Sequence, residues 1–109
     1  MAYDEGAAER LREVFAGRDG IVEKRMFGGL AFMLRGNMCC GVIGDALMAR
    51  VGPHHYSAAL TRPHAREMDF TGRPMKGFVY VAPAGFESDE DLAAWVSLCA
   101  SFAGSLSPK

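Results

Sequence analysis

The stretch MFGGLAFMLRGNMCCGVIGDALMARV, residues 26–51, decides the fold. Two glycine-led pairs, Gly36-Asn37 and Gly44-Asp45, cut it into apolar runs too short for a typical helix, and pairs of this kind supply the positive φ angles of two-residue hairpin loops. The stretch reads as a three-stranded antiparallel meander. Counting outward from the two turns puts Arg35 opposite Met38, Leu34 opposite Cys39, Ile43 opposite Ala46 and Val42 opposite Leu47. Because side chains alternate, Leu30, Phe32, Leu34, Cys39, Ile43, Ala46 and Met48 are expected on one face, and Ala31, Met33, Met38, Cys40, Val42, Leu47 and Ala49 on the other. Gly41 and the pair Gly28-Gly29 are positions where a bulge would move this count by one residue. Both faces are apolar, so each requires a cover.

Working outward, Asp4 to Ala16 has the spacing of a helix, with Ala7, Ala8, Leu11, Val14 and Phe15 on one side, Asp4 as its cap and Gly17 as its stop. Ile21 to Phe27 reads either as a separate first strand or as the start of a long one that bends at Gly28-Gly29, and the bent strand is the favoured reading. After the meander, Pro53 opens a short helix to about Leu60. Glu67 to Phe70 and Phe78 to Val81 are two further strands, joined by the loop Thr71 to Gly77. Ser88, with Asp91 three residues on, caps a last helix whose Leu92, Trp95, Val96, Cys99, Phe102 and Ala103 form an apolar stripe to about Gly104. The element order is α-β-β-β-α-β-β-α. It gives an α+β domain of two layers, a five-stranded antiparallel sheet with its helices on one face. The other face, with no residues left to cover it, calls for a second copy or a partner protein.

A chain of 109 residues, half of them hydrophobic, is one domain with a core of its own and is not disordered. A formal charge of −1 and a pI near 6.3 argue against direct nucleic-acid binding as its main work. Three cysteines, two of them adjacent, make no disulfide framework and suit a reducing cytoplasm. The polar amino terminus is no secretion leader, and no apolar run reaches the roughly 18 residues that cross a bilayer. The expectation is a cytoplasmic protein away from membranes.

Met26-Phe27-Gly28-Gly29, Gly36-Asn37-Met38-Cys39-Cys40-Gly41-Val42, the run Met68 to Gly77 and Trp95 together resemble the TfoX/Sxy amino-terminal domain family over nearly the whole chain. The resemblance implies a two-layer α+β domain akin to the secretion-chaperone-like fold. It also implies kinship with bacterial regulators of competence for DNA uptake, which act with a transcription activator at promoters and carry a second, carboxy-terminal domain. On this reading the chain is the amino-terminal domain standing alone, sharing the fold and a partner-binding surface. The family supplies no catalytic residues to carry over.

Little else in the sequence asks for chemistry. Adjacent strand residues point to opposite faces, so Cys39 and Cys40 are expected to stay apart as small packing residues, and Cys99 lies on the stripe of the last helix. No metal-ligand spacing, triad or phosphate loop is present, and neither a cofactor nor a metal is expected. The six internal methionines either fill gaps in a core, bind a soft metal or form an adaptable recognition surface. The sequence thus favours a non-enzymatic regulatory domain that dimerises or binds a partner through Met33, Met38, Cys40, Val42 and Leu47. Arg73 and Lys76 are secondary polar contacts. The alternative is a small-ligand or anion-binding domain, or a minor enzyme, using Arg73 and Lys76 in the Thr71 to Gly77 loop with Arg62, His64 and Arg66 nearby.

Overall fold

The computed structural model describes residues 3–26, 28–69 and 75–108. Its elements are α1 (Glu5–Phe15), β1 (Ile21–Met26), β2 (Gly29–Leu34), β3 (Asn37–Ile43), β4 (Ala46–Arg50), α2 (Tyr56–Leu60), β5 (Ala65–Glu67), β6 (Phe78–Val81), a 3₁₀ turn (Pro83–Phe86) and α3 (Asp89–Gly104). The strands form one antiparallel sheet in the order β1-β2-β3-β4-β6-β5, with the helices packed on one face. The α+β class and the positions of the first and last helices follow the reading of the sequence. The strand count does not. Residues 21–34 are two strands that reverse around Gly28, φ +76°, instead of one bent strand, so the sheet has six strands where five were expected.

Local chemistry explains the helix ends. Asp4 accepts from the Gly6 amide at the start of α1, and Ser88 Oγ accepts from the Asp91 amide at 3.0 Å at the start of α3. The short helix begins at Tyr56 and not at Pro53, because residues 53–55 are a turn and His55 offers no side-chain cap. The strand expected from Glu67 is instead β5, ending there, and Phe70 lies outside the described residues.

Two departures in the meander rearrange its faces. The first hairpin turns at Arg35-Gly36, with φ of +51° and +85°, one residue before the expected pair. Asn37 joins β3 instead; it is buried, and its Nδ2 donates to the Ser107 carbonyl at 2.9 Å, tying the carboxy-terminal segment to the strand. Moving the turn back by one residue shifts pairing by two, so Met33 now lies opposite Met38 and no side chain changes face. A bulge then leaves Cys39 unpaired between Met38 and Cys40, which shifts pairing by one and flips every later β3 residue relative to β2. Phe32 therefore meets Cys40, and Leu30 meets Val42. The second hairpin keeps its expected register, Val42 opposite Leu47 and Ile43 opposite Ala46.

The helix-side core holds Leu30, Phe32, Leu34, Val42, Leu47 and Val51 against Leu11 and Phe15 of α1 and Leu92, Trp95 and Cys99 of α3. Phe15 stacks on Phe32 with ring centroids 5.3 Å apart. The opposite face is a second apolar cluster that gathers Ala31, Met38, Ala46, Met48, Met68 and Tyr80 with Met26, Met33, Ile43, Met75 and Phe78 at its margin. All six internal methionines lie there. The expectation that nothing in the chain covers this face is overturned: Met48 and Met68 are both 0% exposed. Met68 and Met75, joined by a 2.8 Å hydrogen bond from the Met75 amide to the Met68 carbonyl, bracket residues 70–74 and pack on the sheet.

Candidate functional site

The surface left by this packing lies beside β1. As an edge strand it has one row of backbone groups that pairs with no strand among the described residues, and residues 22–25 are all exposed. Register puts Val22 opposite Met33 and Lys24 opposite Ala31, so Val22, Lys24 and Met26 belong to the methionine face. Val22, at 64% exposure, is the most exposed of the large hydrophobics that stand out on the described surface; half-buried Met33 lies opposite it on β2, and Lys24 separates it from half-buried Met26 along β1. Glu23 points to the helix side, where Arg12 of α1 grips it with two bonds, Nε to Oε2 at 2.8 Å and Nη2 to Oε1 at 2.9 Å. That fork holds the Glu23 carboxyl below the usual carboxylate range. The result is a strand clamped to α1 on one side and showing an apolar strip on the other.

The five residues expected to share one interface are divided between the two faces. Met33 and Met38 lie together on the methionine face, Met33 half-exposed at its margin and Met38 buried within it. Cys40, Val42 and Leu47 face the helices, buried in the main core, so no partner reaches them without displacing α1 or α3. The cause is the Cys39 bulge. It also brings Cys39 and Cys40 into the same core, where strand alternation had them on opposite faces. Cys40 is pushed well up by the neighbouring Cys39 thiol and by burial, and Cys99 well up by burial, so both stay protonated thiols near neutral pH. Among the described residues no group of three or more His, Cys, Asp or Glu side chains is placed to hold a metal ion.

Of the polar contacts, Arg73 lies outside the described residues, and Lys76 is exposed in the turn before β6. The basic residues upstream do not converge. The Arg66 guanidinium lies 4.6 Å from the Tyr80 ring centroid on the methionine face, whereas that of Arg62 lies 4.0 Å from the Trp95 ring centroid on the helix side. Arg50 closes the end of the sheet, 5.5 Å from the Phe78 centroid and 5.3 Å from that of Phe102. Val22 is the residue that reading the sequence missed. Its signal was present in Ile-Val-Glu-Lys-Arg-Met, one exposed apolar residue followed by three charges, a pattern of edge strands that is lost when the segment is read as half of a longer bent strand.

Among the described residues no helix is long and apolar enough to cross a membrane. The family model for the TfoX N-terminal domain matches residues 13–103, which takes in every element from the end of α1 to the last turn of α3. No curated protein and no solved structure matches the chain.

Proposed function

The chain belongs to the TfoX N-terminal domain family, and from that premise we propose that it is a non-enzymatic regulatory domain, related to competence regulators, that works by binding protein along the β1 edge of its methionine face. The membership supports a regulatory role in general terms. One observation carries the finer reading: exposed Val22 of β1 sits opposite half-exposed Met33, and the outer edge of β1 pairs with no other strand among the described residues. Methionines are unbranched and polarizable, so such a strip adapts to a partner's contours, and an open edge lets a partner strand add its backbone hydrogen bonds. Glu23, Lys24 and Arg25 on the same strand discourage indiscriminate pairing and leave a charge pattern that a proper partner must match.

The first partner to test is a second copy. Sedimentation across a concentration series is expected to show a reversible dimer that Val22→Asp and Met33→Asp each convert to monomer without loss of helical circular dichroism. A wild-type chain that stays monomeric throughout would remove self-association. Proteins captured from the native cells by the wild type and equally by both variants would remove the strip as the binding surface.

A further inference from the structure

On the helix side, away from the methionine face, a cavity of about 250 Å³ opens between the loop Arg62–His64, the 3₁₀ turn and the first turns of α3. Its lining includes Arg62, His64, Gly85, Asp91 and Trp95. We propose that this cavity binds a carboxylate bearing an N–H on its α carbon, either a free amino acid or the C-terminal residue of a peptide. The proposal is independent of the β1 strip.

Three features carry it. The Arg62 guanidinium lies 4.0 Å from the Trp95 ring centroid, and Trp95 is only 1% exposed, so the cation rests on a rigid aromatic surface. A cation–π contact of this kind takes up none of the hydrogen-bonding capacity that the guanidinium's N–H groups offer a polar acceptor. Among the described residues those groups have no ion-pair or hydrogen-bond partner, and the planar fork matches a carboxylate with two parallel bonds.

Second, the loop that carries Arg62 is held in shape. His64 takes φ +67°, a conformation that disfavours any side chain, and its carbonyl accepts from the Ala82 amide at 2.9 Å while the Arg62 carbonyl accepts from the Ala65 amide at 3.2 Å. The close approach of this loop to the 3₁₀ turn depends on Gly85. A Cβ there would lie 2.5 Å from Val81 Cγ1, 3.0 Å from His64 Cβ and 3.2 Å from the Pro63 carbonyl oxygen. A backbone pinned into a costly conformation fixes the cavity wall before any ligand arrives, which lowers the ordering cost of binding.

Third, Asp91 selects among anions. Asp91 is one of the residues that line the cavity; its backbone amide is taken by Ser88 Oγ, and its carboxylate makes no hydrogen bond or ion pair among the described residues. A phosphate, carrying between one and two negative charges at neutral pH, is repelled by a neighbouring carboxylate more strongly than a singly charged carboxylate is. An ammonium or amide N–H beside the ligand's carboxylate turns the repulsion into a hydrogen bond. His64, exposed at the rim, is a further donor to the bound anion.

Trp95 is the chain's one tryptophan, so its intrinsic fluorescence reports on the cavity directly. Titrations use free alanine, N-acetyl-alanyl-alanine, the C-terminal amide of that dipeptide, and inorganic phosphate. Saturable change is expected at millimolar free alanine or acetyl dipeptide and not with the amide, and the tighter of the first two identifies the source. Arg62→Gln is expected to weaken the better ligand by about tenfold or more, with circular dichroism unchanged. Asp91→Asn, on an exposed helix position, is expected to reduce the preference for either carboxylate over phosphate whether or not the Arg62 variant folds. The proposal is overturned by the absence of a saturable response to both carboxylates, by an Arg62→Gln protein that titrates like the wild type, by phosphate binding tighter than either carboxylate, or by Asp91→Asn leaving the preference unchanged.

Discussion

On the helix side of the sheet, Leu30, Phe32, Val42 and Leu47 are sealed by two long amphipathic helices; on the other side, Met38, Met48 and Tyr80 are covered where Met68 and Met75 pack back onto the strands. Both surfaces are apolar, but the first is built from branched and aromatic side chains with few rotamers, the second mainly from flexible thioethers. Branched and aromatic groups specify one packing arrangement, whereas methionine tolerates several. On the proposed function the two faces divide the labour of the domain: one holds the fold, and the other, at its β1 margin, adapts to a partner.

The largest effect that would break this division is on the helix side. Val42→Asp buries a carboxylate in a site with 0% exposure and is expected to cost about 3–5 kcal/mol, much of the stability of a domain this size. Urea denaturation followed by circular dichroism measures it. A folded Val42→Asp protein that merely lost association would reverse the assignment of faces. Within the methionine face a contrast is expected: Met48→Ala, fully buried, loses about 2–4 kcal/mol, and half-exposed Met33→Ala less than about 1 kcal/mol, in the same denaturation assay. Equal losses would mean that the face is uniformly closed and the strip beside β1 is ordinary core.

A smaller effect concerns the clamp behind β1. The Arg12 fork lowers the Glu23 pKa from the ordinary value of 4.5, so its contribution is complete above about pH 4.5 and is lost as pH falls through the folded-state value. Both side chains are about one-third exposed, which limits the contribution to about 0.2–1 kcal/mol. Glu23→Gln is therefore expected to be slightly less stable than wild type at neutral pH and to converge with it in acid, as thermal melts across pH would record. A gap that widens in acid would contradict the sign.

How much of this was legible in the sequence depended on whether the signal was local. The caps at Asp4 and Ser88, the Gly44-Asp45 hairpin and strand β6 are each specified by residues within a few positions, and each forms as read. The faces of β3 were not legible, because they depend on the parity of a count, and a single unpaired residue at Cys39 inverts it. Nothing in Met38-Cys39-Cys40 marks a bulge; the glycine that might have done so, Gly41, stands two residues later, paired with Ala31. The separation of β1 from β2 was the reading not favoured, for a related reason: Gly28 serves a bend and a reversal equally well, and the exposed charges of residues 23–25 are what distinguish the edge strand. The pairing of Arg62 with Trp95, 33 positions apart by their numbers, carries no sequence signature at all.

Methyl NMR of the protein labelled at its methionine methyl groups, followed as concentration is raised, tests the unequal roles of the two faces most directly. The account predicts that the Met26 and Met33 signals shift together with a common midpoint while those of Met48 and Met68 stay fixed, and that Val22→Asp abolishes the shifts. Movement of the Met48 and Met68 signals with Met26 and Met33 unmoved, or shifts that persist in Val22→Asp, would contradict it.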